Sequence, residues 1–391
     1  MKDLCILIGS SYEPEQEDYL KDHYYKRAPE IANVFYERVL LNGFEKAGAN
    51  AFFLSSPEVG TFPFSCRAPR LKKKDFESQR FDVVSYCTVA GLKHFSKARA
   101  IKKELLNLLQ RNKGKYDSIV LLLCESYWPY LIAAKEAKKR FGTKVILMVP
   151  DLPRHVGSQK GFIKKQYVKS SNSLMEKLSD GYVLFSSPML KEPYINKEKP
   201  YIISEGILDS DKALPPSSSS EGEGFILYAG SVSFSNGIEL LLKAYQSIPS
   251  PKPKLLIAGS GDALEFVRAK QVDGVEAIGL LSKAKVDELT KKARLLVSPR
   301  IPDSYCSYSF PSKVINYLAY RIPLVSFKLE CYPPELNEVV CYPKETNAEA
   351  LSEAMIRCLK GEWAPNEEAR DAILKKLSNV ALVRSILSMT K

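Results

Sequence analysis

Short runs of apolar residues alternate with longer stretches whose apolar positions recur every three or four residues, along nearly the whole chain. The short runs predict strands buried on both faces and the longer ones amphipathic helices. Their alternation predicts parallel sheets covered by helices. In the first half, strands are expected at 4–9 (LCILIG), 51–55 (AFFLS), 83–86 (VVSY), 118–124 (SIVLLLC), 144–149 (KVILMV) and 181–186 (GYVLFS). Helical stretches separate them, such as 28–48 (APEIANVFYERVLLNGFEKAG), which Gly48 closes as a C-cap. The second half repeats the logic at 225–230 (FILYAG), 253–259 (PKLLIAG), 275–279 (VEAIG), 294–299 (RLLVSP) and 322–327 (IPLVSF). Between the halves, 214–224 (LPPSSSSEGEG) is too rich in Pro, Ser and Gly to pack a core and reads as a linker.

The expectation is an α/β protein of two doubly wound, Rossmann-like domains joined near 206–224. The 391 residues exceed what one core usually holds. Open parallel sheets bind ligands beyond the carboxyl ends of their strands, where strand order reverses, so the loops after strands are where chemistry is sought.

Charge sharpens this picture. Residues 1–200 carry 34 Lys and Arg against 22 Asp and Glu, whereas 201–391 carry 23 against 23, so the whole excess of +12 lies in the first half. Its dense parts are RAPRLKKK (67–74), KHFSKARAIKK (93–103) and KGFIKKQYVK (160–169), read either as solvated helix faces or as a face held near anionic lipid. Without aromatic interleaving or a recognised motif, nucleic acid is not expected as a partner. The eight cysteines are scattered and only three histidines are present, so neither a metal centre nor a redox pair is signalled. No apolar run is long enough to span a bilayer, and the first residues lack a signal-peptide pattern, so the expected location is cytoplasmic, soluble or peripheral to the inner membrane face.

Four loops of the second half carry candidate chemistry. In 228–245 (YAGSVSFSNGIELLLKAY) a strand ends at Gly230 and Ser231 and a helix begins around Gly237, letting backbone N–H groups approach a phosphate. In 257–267 (IAGSGDALEFV) Gly259 opens a similar turn, and after Gly279 the pair Leu280 and Leu281 can wall an apolar slot for a base. The fourth loop holds SFPSK (309–313): Ser309 is placed to cap a helix, Pro311 to sit in its first turn, and Ser312 and Lys313 to extend from it. Arg300, after LLVSP, can add a bidentate grip on an anion. In the first half, Asp151 and His155 follow a strand end and can orient or deprotonate a hydroxyl. The D-x-D of Asp209 to Asp211 has a metal-binding form but falls in the hinge.

In order and spacing, LYAGSVSFSNGIELLLKAY, KLLIAGSGD, VEAIGLLSKAKVDEL and SPRIPDSYCSYSFPSKVINYLAYRIPLVS resemble the nucleotide-sugar half of the retaining family 4 glycosyltransferases of GT-B architecture. The SFPSK form is similar to enzymes of bacterial surface-polysaccharide assembly. VILMVPDLPRHVG (145–157) and PYIISEGILDS (200–210) extend the likeness faintly into the first half.

The resemblance implies two domains facing a cleft: an acceptor domain at 1–205 and a nucleotide-sugar domain at 206–364, with a C-terminal helix of about 365–391 packing back on the first. It implies a UDP- or GDP-sugar donor, a glycan or lipid-linked saccharide acceptor and no metal. Gly230, Ser231, Gly259, Leu280, Leu281, Ser309, Phe310, Ser312 and Asn316 would contact the donor. Arg300, Lys313, Asp151 and His155 would carry catalysis. Three positions depart from the family: Ser231 and Asn236 replace two phosphate cations, and Asn316 replaces a ribose-binding glutamate. Two other readings stay open on the same architecture, a non-catalytic partner subunit and a nucleotide-sugar epimerase.

Overall fold

The computed structural model of the chain describes residues 3–26, 32–73, 78, 80–154, 161–210, 224–303 and 308–390. The chain divides into two compact units, Met1–Asp209 with Asn379–Lys391, and Ser210–Ser378.

In the first unit the elements run β1 (Asp3–Gly9), α1 (Glu17–His23), α2 (Ala32–Lys46), β2 (Asn50–Ser55), β3 (Arg70–Leu71), β4 (Phe81–Val83), β5 (Tyr86–Cys87) and α3 (Lys93–Asn112). They continue with β6 (Ser118–Leu123), α4 (Trp128–Phe141), β7 (Lys144–Val149), α5 (Phe162–Leu178), β8 (Gly181–Leu184) and β9 (Tyr201–Ile203). Its large sheet is parallel, in the order β4-β2-β1-β6-β7-β8-β9. The central strands are continuous apolar runs because helices cover both faces, and Ile6, Leu7, Leu121 and Leu122 are wholly buried.

The expected strand at 83–86 is not one strand. Val83 ends β4, while Tyr86 and Cys87 turn away to pair antiparallel with Leu71 and Arg70. Strand β9, just before the expected joint near 206–224, is not among the expected strands.

The second unit runs β10 (Phe225–Ala229), α6 (Ile238–Gln246), β11 (Leu255–Ala258), α7 (Leu264–Lys270), β12 (Val275–Gly279), α8 (Lys283–Lys292), β13 (Ala293–Ser298), α9 (Ser312–Leu318), β14 (Leu324–Ser326), α10 (Ala348–Leu359) and α11 (Glu367–Lys376). Its parallel sheet has the order β12-β11-β10-β13-β14. The chain builds outward from β10 to β12 and then returns to place β13 on the other side. The strand order therefore reverses between β10 and β13, which opens a crevice at their carboxyl ends.

Beyond residue 365 there are two helices, not one. Helix α11 stays in the second unit, where Arg321 pairs with Glu367 at 2.8 Å and with Asp371. Helix α12 (Asn379–Ser388) packs on α2 in the first unit. There the Asn379 amide donates to the Val39 carbonyl at 3.1 Å, and the backbone N–H of Asn379 to Leu208 at 2.8 Å.

Candidate functional site

The carboxyl ends of β10 and β13 border a cavity of about 260 Å³ lined by Tyr228, Ala229, Ser231, Asn236, Val297, Ser298, Arg300, Phe310, Pro311, Lys313 and Tyr317. It lies at the reversal of strand order, where the topology leaves strand ends and helix starts facing one space.

The walls are held from below. The last residue of β10 has no strand partner for its outer backbone groups, and Tyr317 supplies one: its hydroxyl accepts from Ala229 N–H at 2.9 Å and donates to Ala229 C=O at 3.1 Å. This locks α9 to the strand end. The Ser231 carbonyl accepts from the Tyr228 hydroxyl at 2.6 Å and from the Asn236 amide at 2.9 Å, which fixes the loop above. Burial raises the pKa of both tyrosines, Tyr317 to about 12, so both stay protonated donors.

Successive loops are laced together. Gly230 N–H donates to Ala258 at 2.8 Å, Val232 N–H to Ser260 at 2.9 Å and Gly259 N–H to Gly279 at 2.7 Å. Gly259 has φ +137°, and a Cβ there would overlap the Gly230 carbonyl oxygen. Its lack of a side chain thus makes room for a neighbouring loop, and Gly259 does not border the cavity. A Cβ on Gly230 would instead meet the Lys313 ammonium, which rests against that glycine beside the cavity.

Lys313 is a strongly perturbed cation. Burial first, and the Arg300 guanidinium second, lower its pKa to about 8. Its Nζ lies 5.8 Å from the centroid of the Tyr228 ring. Two cations held close in a partly desolvated space are unfavourable alone and favourable around an anion. Diphosphate binding is accordingly expected to weaken by up to tenfold per pH unit above about 8, as the empty site loses its lysine charge, and to take up a proton in that range. Calorimetry in buffers of different ionisation enthalpy reads both effects; a flat profile between pH 7 and about 9.5 contradicts them.

The cavity thus brings together Arg300, Lys313, Ser231, Asn236 and Phe310. Ser309 is not the helix cap: α9 begins at Ser312, and its N-cap is Pro311, with ψ 97° and no side-chain cap. The ring holds φ of Pro311 at −75°, which a helix would also accept, and it is ψ that leaves Pro311 extended one residue before the first turn. Asn316 is exposed on α9, Leu280 is 76% exposed beyond β12, and Leu281 is half-buried; none of them lines the cavity. The side chain of Ser312 and all of His155 lie outside the described residues. Asp151 is half-buried after β7 in the first unit, with its carbonyl accepting from the Ser126 hydroxyl at 3.4 Å. Asp209 pairs with Lys46 at 2.8 Å, and Asp211 lies outside the described residues. Among the described residues no group of His, Cys, Asp and Glu gathers as metal ligands would.

Sequence reasoning missed Tyr228 and Tyr317. The signal for Tyr317 was available, since it follows Lys313 by four residues on one helix and so shares its face. It also missed an ion group of the first unit: the buried Lys93 and Lys97, 5% and 1% exposed, share the half-exposed carboxylate of Glu58, Lys97 at 2.9 Å.

Residues 209–376 match the model of the family described as glycosyl transferases group 1. The curated proteins yield no match. Among solved structures the chain is similar to the lipopolysaccharide outer core galactosyltransferase WaaB in its apo form, at 13% identity and TM-score 0.64, covering 99% of each chain. It is also similar to sucrose-phosphate synthase from Thermosynechococcus elongatus, at 16% identity and TM-score 0.65, covering 100% of this chain and 99% of that one. Anabaena HepE in complex with UDP gives 13% identity and TM-score 0.62, with 100% and 99% covered. At such identities the likeness is one of fold. The fold is GT-B, with two Rossmann-like domains, and the cavity lies within the matched segment.

Proposed function

We propose that the chain transfers a hexosyl group, with retention, from a nucleoside-diphosphate sugar to a hydroxyl of a lipid-linked or other surface-glycan acceptor. The observation that carries this reading is the pair of cations, Arg300 and Lys313, on one small cavity at the strand reversal within the matched segment. The bond from the anomeric carbon to the phosphate oxygen breaks and the diphosphate leaves with the electron pair. The two cations and the backbone around Gly230 and Ser231 stabilise that developing charge without reorganising. The acceptor oxygen bonds to the same face, and its proton passes to the departing phosphate oxygen. Asp151, with His155, serves the acceptor side. HepE holds UDP, and in a second structure UDP and glucose, which favours a uridine donor.

A thermal screen of uridine, guanosine and adenosine diphosphates tests the reading. One of them at a hundred times its dissociation constant should add about 2.7 kcal/mol of stability. No stabilisation by any nucleoside diphosphate would overturn it.

One observation favours the partner-subunit reading. Ser231 and Asn236 line the cavity as neutral groups, and the Asn236 amide is turned to the Ser231 carbonyl. Nucleotide binding without transfer, restored by a second subunit, would decide for it.

A further inference from the structure

Two cysteines that no C-x-x-C spacing marks are brought together in the apolar core of the second unit, Cys341 and Cys358. Cys341 extends the sheet beyond β14. Its N–H donates to the Leu324 carbonyl at 2.9 Å, its carbonyl accepts from Ser326 N–H at 3.2 Å, and it pairs in parallel with Val325. Cys358 lies in the last turn of α10, whose buried Leu351, Ala354 and Met355 pack toward α6 and the sheet. The two cysteines are 1% and 8% exposed.

Their thiols form a chain of hydrogen bonds. The Cys341 thiol donates to the Ala354 carbonyl, sulfur to oxygen 3.9 Å. A helical carbonyl points along the axis toward the residue four positions on, so a sulfur resting on Ala354 lies beside Cys358. The Cys358 thiol donates in turn to the Cys341 sulfur. That bond draws the Cys341 thiol below its usual range, against the effect of burial and with help from the Arg357 guanidinium, while Cys358 is raised and keeps its proton. One sulfur is thus disposed to attack and the other to follow. Cys331 differs, with its thiol turned to the Ser309 carbonyl at 3.7 Å.

We propose that Cys341 and Cys358 are a dithiol modification site that hydrogen peroxide converts to a disulfide, fastening α10 to the edge of the sheet. The Cys341 thiolate attacks one peroxide oxygen, an S–O bond forms, the O–O bond breaks, and the departing hydroxide takes up a proton as water. The Cys358 sulfur then attacks the Cys341 sulfur. An S–S bond forms, the S–O bond breaks, and the second hydroxide leaves as water with the Cys358 proton. Two thiols lose two electrons and one peroxide becomes two waters. The last turn of a helix opens at low cost, which admits so small an oxidant to Cys358 and the sulfur beside it. Neither cysteine lines the donor cavity, so the proposal does not depend on the donor reading.

Intact mass and melting of the full chain before and after hydrogen peroxide test it, in the parent and in Cys341→Ala, Cys358→Ala and Cys331→Ala. The parent should lose about 2 Da and regain it with dithiothreitol, and peptide mapping should join the segments holding Cys341 and Cys358. Because the bond closes a loop of about 17 residues, the oxidised chain should melt about 5 °C or more above the reduced one. Cys331→Ala should behave as the parent, and the other two variants should show neither change. Melting of the reduced variants reports their fold, and nucleoside diphosphate binding, read separately, should be the same before and after oxidation, so failure of the donor reading is distinguished. An unchanged mass, a gain of oxygen without pairing, a bond joining other cysteines or lost in Cys331→Ala, or a disulfide that lowers the melting temperature would each overturn the proposal.

Discussion

Replacing Lys313 by methionine is expected to lower transfer by about a thousandfold while making the ligand-free protein more stable. The two effects have one cause. Burial and Arg300 bring the folded-state pKa of Lys313 from 10.5 to about 8. Below pH 8 both folded and unfolded chains carry the charge, and the folded chain bears the full cost of holding it beside Arg300. Between 8 and 10.5 the folded lysine gives up its proton first, so the unfolded state binds more protons and stability rises with pH. Methionine removes that cost at neutral pH, a gain on the order of 2 kcal/mol, and fills similar space. It also removes the cation on which the leaving diphosphate relies. Turnover and urea unfolding at pH 7 read the two signs, and a variant that keeps full activity, or one that is destabilised, contradicts the account.

Gly259→Ala is expected to cost about 3 kcal/mol or more and to remove nucleotide binding with it. The new Cβ would strike the Gly230 carbonyl, and φ +137° suits glycine alone. Neither loop has slack, because Gly230 and Gly259 are each tied to the next strand end through their own N–H groups. Gly230→Ala is the contrast. Its Cβ would meet only the far end of the Lys313 side chain, which can move. That variant should fold normally and lose donor affinity by roughly tenfold as the ammonium is displaced. Urea unfolding and nucleotide titration separate the pair. A Gly259→Ala protein as stable as the parent, or a Gly230→Ala protein of full affinity, would show that the loops are not arranged as described.

The sheets were legible because helices cover both faces of central parallel strands, which leaves continuous apolar runs such as those at 4–9, 118–123 and 144–149. Two-residue strands carry no such signal, so the ribbon of β3 and β5 went unseen and 83–86 was read as one strand. Arg300 and Lys313 could be placed at one site because both follow strands that the pattern puts beside the reversal point. What pairs across long separations was not legible. The basic stretch at 93–103 hides two buried lysines only because Glu58, 35 and 39 residues away, sits between them. Gly259 looked like a phosphate contact because a turn that admits a ligand and one that admits a neighbouring carbonyl ask for the same residue. The SFPSK segment suggests a Ser309 cap, yet Pro311, whose ring suits either a first turn or an extended residue, is extended here and the helix starts at Ser312.

The account stands on an anion held between Arg300 and Lys313. A crystal structure of the chain with a nucleoside diphosphate tests this most directly. The expected result places the diphosphate in the cavity between β10 and β13, with its oxygens within hydrogen-bond distance of the Lys313 ammonium and the Arg300 guanidinium. A nucleotide bound elsewhere, or one whose phosphates contact neither side chain, would contradict it.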